Sequence, residues 1–263
     1  MEVIIQPDED AAARLVARII AHHLRRNPAL VLGLATGRTM TRVYHWLVRL
    51  HRDEGLDFSR CRTFNLDEFI GLPPEDPHSY RHFMNTHLFD LVNIDKARTH
   101  LPDGMAPDLE AECERYEKLI RTSGGIDLQL LGIGRSGHIG FNEPCSSLSS
   151  RTREKALCPT TLEQYAPQFG GDPHQVPRRA ITMGVGTILE SKRCLLLATG
   201  REKADILHRA VEGPVSAMVP ASALQLHPRC TVIADEPAAE QLEMKEYYRW
   251  LFDNEPEWEP FRT

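Results

Sequence analysis

The 263-residue chain is 41% hydrophobic and 26% charged, which is the composition of an ordinary soluble globular protein. Its formal net charge of −6, without a long basic run or an acidic tail, argues against nucleic acid as a partner. The acidic start MEVIIQPDED and the lack of an apolar run of roughly 20 residues argue against a secretory signal and a membrane span. Six scattered cysteines without a C-x-x-C pair indicate reduced thiols, so the expected location is the cytoplasm.

Short apolar runs alternate along the chain with longer segments of helical period. The predicted strands are 3–5, 30–34, 62–66, 126–132, 180–183, 193–198 and 230–234. The predicted helices are 9–24, 39–50, 109–120, 202–211 and 240–251. Short apolar strands separated by helices indicate an α/β fold whose mostly parallel sheet is covered on both faces. Because no repeat, linker or composition break is visible, the sequence predicts a single domain over 1–263 with an aromatic-rich tail from about residue 247.

Ligands of such sheets bind beyond the carboxyl ends of the strands, so the candidate sites are the loops after residues 34, 66, 131 and 198. The first of these loops, GLATGRT, places Thr36, Gly37, Arg38 and Thr39 between a strand and a helix. Backbone N–H groups at a helix N-terminus attract anions, and glycine lets a phosphate approach closely. The alternative is a tight turn in which Thr39 is the N-cap of the helix.

The second loop, FNLDEF, places Asp67 and Glu68 at the end of a strand. Adjacent acids are usually solvated, so this motif alone indicates catalysis only weakly. Farther on, His78 and His82 stand four residues apart in HSYRH and could contact a metal from one helix face. Two ligands without a third make a poor metal site, and solvent-facing histidines are favoured.

The third loop, LGIGRSGHIGFNEP, contains the spacing G-x-G-x-x-G at Gly132, Gly134 and Gly137 after an apolar strand. A dinucleotide-binding fingerprint of this kind must be followed at once by a helix that receives the pyrophosphate. Here a glycine, a proline and a serine cluster follow in HIGFNEPCSSLSS. The dinucleotide interpretation is therefore weak.

The same loop carries three side chains with polar chemistry. Ser136 lies in GRSGH, which lacks the G-x-S-x-G spacing of a nucleophile elbow. His138 and Glu143 are five residues apart, and an imidazole beside a carboxylate can move protons near neutral pH. A histidine that merely caps the loop is the alternative.

Four segments resemble the glucosamine-6-phosphate deaminase family in order and spacing, over about 31–236. They are FNLDEFIGLPPEDPHSYRHFM, LLGIGRSGHIGFNEPCSSLSSRTREK, ITMGVGTILES and AVEGPVSAMVPASALQLHP. The resemblance implies a three-layer α/β/α fold of Rossmann-like type. It also implies conversion of glucosamine 6-phosphate and water to fructose 6-phosphate and ammonia, without a metal or redox cofactor. The glycines of the third loop are then expected to make room for a sugar phosphate, and the chain is expected to form a hexamer.

The resemblance also implies the roles of individual residues. His138 opens the sugar ring with Glu143 orienting it, and Asp67 carries a proton from C2 to C1. Partial burial of Asp67, with Glu68 as a like-charged neighbour, would raise its pKa and make it a better base. The loop of Thr36, Gly37, Arg38 and Thr39 and the ammonium group of Lys203 in ATGREK hold the phosphate.

Three positions depart from the family pattern. Ser136 stands where many members have an aspartate, so we expect ring opening to depend more on Glu143 and to be slower. Pro167 stands where members have an arginine, and no Lys or Arg occurs in the segment 156–177. Arg38 replaces the second glycine of the phosphate loop, and we hypothesise that it supplies the missing cation.

Some bacterial members are activated by N-acetylglucosamine 6-phosphate at a site between subunits. Ser146, Arg153 and Lys155 match that site, whereas the family's C-terminal tyrosine is not matched cleanly, with Arg249 there and Tyr248 beside it. Solvated surface charge is the alternative role of the two cations.

Three other functions compete with the deaminase. The same chemistry on galactosamine 6-phosphate is not distinguishable from sequence, while the FNLDE and GHIGFNEP motifs together favour deaminase over lactone hydrolysis. A catalytically inactive sugar-phosphate sensor is expected to carry a helix-turn-helix segment, for which the predicted elements leave no room.

Overall fold

Seven parallel strands form the central sheet of the computed structural model, which describes residues 1–262, in the order β1-β10-β9-β6-β2-β3-β5. The strands of the protein are β1 (Glu2–Gln6), β2 (Val31–Leu34), β3 (Arg62–Asn65), β4 (Asp67–Phe69), β5 (Thr99–His100), β6 (Leu128–Gly132), β7 (Arg153–Ala156), β8 (Arg179–Thr182), β9 (Cys194–Ala198) and β10 (Cys230–Asp235). The predicted mostly parallel α/β fold is confirmed. Strands β2, β9 and β10 are buried along their whole length, which explains their largely apolar sequences.

Helices flank this sheet. They are α1 (Glu9–Arg26), α2 (Arg38–Glu54), α3 (Tyr80–Met84), α4 (Leu109–Thr122), α5 (Pro159–Tyr165), α6 (Val185–Leu189), α7 (Ala204–Val211) and α8 (Lys245–Asn254). Helix α1 begins where the Asp8 side chain accepts a hydrogen bond from the Ala11 N–H at 2.8 Å. Its predicted apolar face is buried, with Val16 and Ile20 both fully inaccessible to solvent. No helix within residues 1–262 is long and apolar enough to cross a membrane.

A second, antiparallel sheet of three strands, β4-β8-β7, lies apart from the central one. The predicted strand 180–183 belongs here as β8 and not to the parallel sheet. Asp67 also differs from its prediction, because it begins β4 opposite Thr182 instead of ending β3. The chain turns between the two sheets at Leu66, whose carbonyl accepts the Met183 N–H at 2.7 Å.

The sequence patterns missed β4, β5 and β7 together with α3, α5 and α6. Each of these elements is only two to seven residues long, too short for a periodic apolar pattern. Strand β7, for example, alternates half-buried and exposed residues that are mostly charged.

The aromatic tail packs on its own chain only in part. Trp258 is 4% exposed, and Tyr248 donates a hydrogen bond to Glu212 at 2.8 Å. Tyr247 and Trp250, by contrast, are 50% and 58% exposed and stack on each other.

Candidate functional site

Two adjacent carboxylates are buried where the chain passes from the central sheet to the small one. Asp67 is 6% exposed and Glu68 is 4% exposed, so the usual solvation of adjacent acids does not apply. Glu68 is fixed by backbone N–H groups of Phe69, Tyr80 and Arg81 at 2.9, 2.9 and 3.0 Å. The last two belong to the start of α3, which is why this short helix lies beside the carboxylates.

Burial, followed by the charge of Glu68, raises the pKa of Asp67 well above its usual value. Burial likewise raises the pKa of Glu68 to about 7, although its three backbone hydrogen bonds lower it. Within residues 1–262 no such donor offsets the burial of Asp67, so its ionised form is the less stable of the two. An ionised Asp67 is therefore a strong base for a carboxylate.

His138, Ser136 and Glu143 form a compact polar group in the loop after β6. The imidazole Nδ1 lies 2.9 Å from Ser136 Oγ and 3.3 Å from Glu143 Oε2, and Ser136 Oγ lies 3.2 Å from the same carboxylate oxygen. Because a carboxylate only accepts hydrogen bonds, Nδ1 carries the proton and Nε2 is the basic nitrogen of the ring. His138 and Glu143 are 5% and 4% exposed.

Glu143 is held on its other side by the start of α5. Its Oε1 lies 3.4 Å from the Cys158 N–H. Burial raises the pKa of Glu143, but the hydrogen bond and charge of His138, together with hydrogen bonds from Thr161 and Cys158, lower it to about 2. Glu143 is therefore ionised at neutral pH and can stabilise an imidazolium.

The His138 loop lies directly against Asp67. A Cβ atom placed on Gly140 would lie 3.4 Å from Asp67 Oδ2 and 2.8 Å from Thr182 Oγ1. Thr182, the strand partner of Asp67, accepts the Phe141 N–H at 2.9 Å and so joins the loop to the small sheet. The structure thus brings together all four predicted catalytic side chains, those of Asp67, Ser136, His138 and Glu143.

The expectation that the glycines of this loop make room for a sugar phosphate is not met at Gly134 and Gly137, where protein atoms fill the space beside the backbone. A Cβ atom on Gly134 would lie 2.0 Å from His138 Nε2, so the imidazole occupies that space. At Gly137, where φ is +82°, a Cβ atom would lie 2.8 Å from a methyl group of Val219. Turns and bends follow Gly137 in place of the helix that a dinucleotide-binding fingerprint requires. This agrees with the argument from sequence against that interpretation.

Three cations gather around the loop after β2. Gly37, with φ +111°, is the cap residue of α2, so Thr39 lies inside the helix and is not the N-cap. The Arg38 side chain is 90% exposed and pairs with Glu202 at 3.3 Å. Burial lowers the pKa of the half-buried Lys203, Glu202 raises it, and Arg135 and Arg38 lower it.

Arg135 was not singled out from the sequence, although it stands in the quoted glycine loop between β6 and His138. Its backbone N–H lies 3.5 Å from Gln164 Oε1 on α5, and its charge acts on Lys203. Tyr80 and Tyr165 were also missed. Both are close enough to Asp67 for its charge to raise their pKa values, after the larger effect of burial.

The predicted regulatory residues lie in a second region. Arg153, the first residue of β7, donates to Asn142 Oδ1 at 2.9 Å and to Ser146 Oγ at 3.2 Å, while Lys155 is half-buried two residues farther along the strand. A groove of about 990 Å³ between α4 and β7 adjoins Arg153 and contains none of the four catalytic positions. Arg249 is engaged elsewhere, pairing with Glu236 and Glu246.

His78 does not share a metal site with His82. Its Nδ1 lies 2.9 Å from Asp76 Oδ1, and its ring stacks on Phe169 with centroids 4.5 Å apart. Among residues 1–262, no group of three or more His, Cys, Asp or Glu side chains is arranged to hold a metal ion.

Residues 8–233 match the family described as glucosamine-6-phosphate isomerases/6-phosphogluconolactonase. The chain belongs to this family. It is 49% identical to the glucosamine-6-phosphate deaminase of Streptomyces coelicolor over 259 residues, which cover 98% of this chain and 99% of the relative. It is 51% identical to the Shewanella loihica enzyme of the same name over 251 residues, which cover 95% and 93% of the two chains. The resemblance seen in the sequence is confirmed.

Solved structures of the glucosamine-6-phosphate isomerase/6-phosphogluconolactonase family share the fold. One is described as a monomeric glucosamine-6-phosphate deaminase and matches with a TM-score of 0.90 at 45% identity. The match covers 92% of this chain and 100% of that one. A 6-phosphogluconolactonase from Trypanosoma cruzi matches with a TM-score of 0.72 at 20% identity, covering 92% and 97%. The second likeness concerns the fold alone.

Gly134→Ala is expected to displace the His138 imidazole and to lower kcat roughly 100-fold, because a misplacement of about 1 Å at a catalytic group has effects of this size. Gly132→Ala is the control, since its Cβ atom would meet only the flexible Met40 Cε, at 3.3 Å. Steady-state rates of both variants measure the effect. Equal rates in the two variants would show that the Gly134 contact does not position the imidazole.

Proposed function

We propose that the protein catalyses the isomerising deamination of glucosamine 6-phosphate to fructose 6-phosphate and ammonia. The observation that carries the proposal is the buried base Asp67 lying against the loop of His138 and the ionised Glu143. Sugar isomerisation needs one group that opens the ring and another that moves a carbon-bound proton. The names of relatives at about half sequence identity support the same activity.

His138 is assigned the opening of the sugar ring. Its Nε2 is the ring's basic nitrogen, so it can take the proton of the C1 hydroxyl and deliver that proton to the ring oxygen as the bond between C1 and the ring oxygen breaks. Glu143 stabilises the positive charge that develops on the imidazole. Ser136 fills the space beside them and exchanges hydrogen bonds with both groups at 2.9 and 3.2 Å, but it adds no charge. Glu143 is therefore the single carboxylate that stabilises the imidazolium, whereas many family members have an aspartate at the position of Ser136 as well.

Asp67 is assigned the isomerisation step. The ionised carboxylate removes the C2 proton of the open-chain amino sugar while the C1 oxygen gains a proton, which gives an enolamine. The protonated carboxyl group then returns its proton to C1 as the amino group loses one, which leaves an imine at C2. Water then adds to that imine and ammonia departs, so that the ketose forms and one water is consumed. Burial supports the proton transfer because it destabilises the charged form of Asp67 and raises its basicity.

The phosphate group is proposed to bind among the N-terminus of α2, Lys203, Arg38 and Arg135. Backbone N–H groups at that helix end attract an anion, and Gly37 lets it approach. The two arginines replace the cation that the family carries at the position of Pro167. Phosphate would take the place of Glu202 as the partner of Arg38, a weak exposed pair that is easily exchanged.

Regulation by N-acetylglucosamine 6-phosphate is proposed at Ser146, Arg153 and Lys155. The direct hydrogen bond between Ser146 and Arg153 and the adjoining groove support a site for an anionic sugar there. Assembly as a hexamer and location in the cytoplasm stay predictions. The solved relative at 45% identity is described as monomeric.

Wild-type protein is expected to release ammonia from glucosamine 6-phosphate, and Asp67→Asn is expected to lower kcat at least roughly 100-fold, because the amide cannot accept the C2 proton. Enzymatic detection of ammonia measures this, with galactosamine 6-phosphate and 6-phosphogluconolactone assayed in parallel. Release from the galacto epimer alone would assign that substrate. Lactone hydrolysis without ammonia would replace the proposal with a lactonase, and binding without any turnover would indicate a sensor.

The acid limb of kcat/KM is expected well above the pH range of an ordinary aspartate, because Asp67 must be ionised and burial raises its pKa. Below that pKa the base is protonated and activity is lost. Glu68→Gln removes the like charge, so the limb is expected to move to lower pH. The exposed Glu75→Gln is the control. A limb that stays in place in Glu68→Gln would mean that another group controls it.

Arg38→Ala and Arg135→Ala are each expected to raise KM for the sugar phosphate roughly tenfold with little change in kcat, as loss of a charge-assisted hydrogen bond does. The matched control is Arg42→Ala, which lies on the same helix but pairs with Glu9. An unchanged KM in Arg38→Ala would refute its role as the replacement cation.

A further inference from the structure

The Tyr80 hydroxyl group is buried and makes no hydrogen bond of good geometry to another group of residues 1–262. The residue is 4% exposed and begins α3, and its backbone N–H donates to Glu68 at 2.9 Å. Its ring is fixed by stacking on Phe141, with centroids 6.0 Å apart, and by Phe69 at 5.0 Å. Within residues 1–262 its hydroxyl oxygen has no partner of acceptable hydrogen-bond geometry.

Other buried tyrosines of the protein do not share this feature. The Tyr44 hydroxyl donates to the Ala35 carbonyl, and the Tyr116 hydroxyl donates to the Asn65 carbonyl at 2.6 Å. A buried hydroxyl that is left unpaired costs free energy, so proteins pair most of them. Tyr80 is therefore the exception among the buried tyrosines of residues 1–262.

The surroundings of the Tyr80 hydroxyl indicate what its partner is. The side chains of Thr36, in the proposed phosphate loop, and Tyr165, on α5, lie close enough to shift the pKa of Tyr80 through hydrogen bonding, although neither has good hydrogen-bond geometry. The charge of Asp67 raises the same pKa. Burial raises the pKa of Tyr80 well above 10, so the group is a neutral hydrogen-bond donor at all working pH values. It lies between the loop proposed to hold the phosphate and the base proposed to act at C2.

We propose that Tyr80 is a substrate-binding residue whose hydroxyl donates a hydrogen bond to a hydroxyl oxygen of the sugar chain, between the phosphate and C2. The inference rests on the proposed function and adds to it a residue that selects sugar phosphates over free phosphate. The charge of Asp67 acts on Tyr80, and the Tyr80 ring stacks on Phe141 of the His138 loop, so a sugar that contacts Asp67 also comes close to this hydroxyl.

Tyr80→Phe removes only the hydroxyl group and tests the proposal against a structural role. We expect kcat/KM for glucosamine 6-phosphate to fall roughly 10- to 100-fold, while the midpoint of urea unfolding stays unchanged or rises, since an unpaired group is removed. Tyr116→Phe is the matched control, because its hydroxyl is paired with a backbone carbonyl. Its unfolding midpoint is expected to fall and its kcat/KM to stay within about twofold of wild type.

Binding measurements separate this inference from the proposed reaction. In an Asp67→Asn background, Tyr80→Phe is expected to weaken glucosamine 6-phosphate binding roughly tenfold and to leave the Kd of inorganic phosphate unchanged. That pattern would support the inference even if wild-type protein released no ammonia. Unchanged sugar-phosphate affinity, equal weakening for free phosphate, or an unfolding midpoint that falls as in Tyr116→Phe would each overturn it.

Discussion

The withdrawal of the Asp67 carboxylate from water is the constraint on which the site depends. The chain leaves the central sheet at Leu66 and pairs Asp67 with Thr182 in a second sheet, which places the carboxylate under the His138 loop. Glu143, equally buried, receives enough hydrogen bonds and positive charge to keep its pKa at about 2. Two carboxylates in one site thus have opposite shifts, and such a difference is how one site provides both a base and a permanent anion.

Much of the fold could be predicted because its central strands are buried on both faces. Their apolar runs, such as 193–198, and the amphipathic period of α1 follow directly from that burial. The small sheet could not be predicted from pattern, because β4 and β7 have only three and four residues, and their pairing with β8 is a long-range contact. Strand 180–183 has the composition of a central strand, so only tertiary structure shows that it belongs to the small sheet.

The site was partly visible for a related reason. His138, Glu143 and Asp67 were found because they stand in loops after predicted strands and in motifs of a known family. The nearly complete burial of both Asp67 and Glu68 goes beyond the partial burial expected for Asp67, because it depends on α3 donating its first N–H groups to Glu68. The reason for a glycine at position 134 could not be predicted either, since only the folded loop shows that the His138 imidazole fills the space of a Cβ atom there. Arg135 and Tyr80 carry no pattern that separates them from surface and core residues.

We propose that the shielded carboxylate of Asp67 moves a proton from C2 to C1 of the sugar. The most direct measurement is mass spectrometry of the fructose 6-phosphate formed from glucosamine 6-phosphate that carries deuterium at C2, with the reaction run in ordinary water. We expect part of the deuterium to appear at C1 of the product, because the buried Asp67 exchanges its proton slowly with solvent. Complete loss of the label to water, or no ketose product at all, would contradict it.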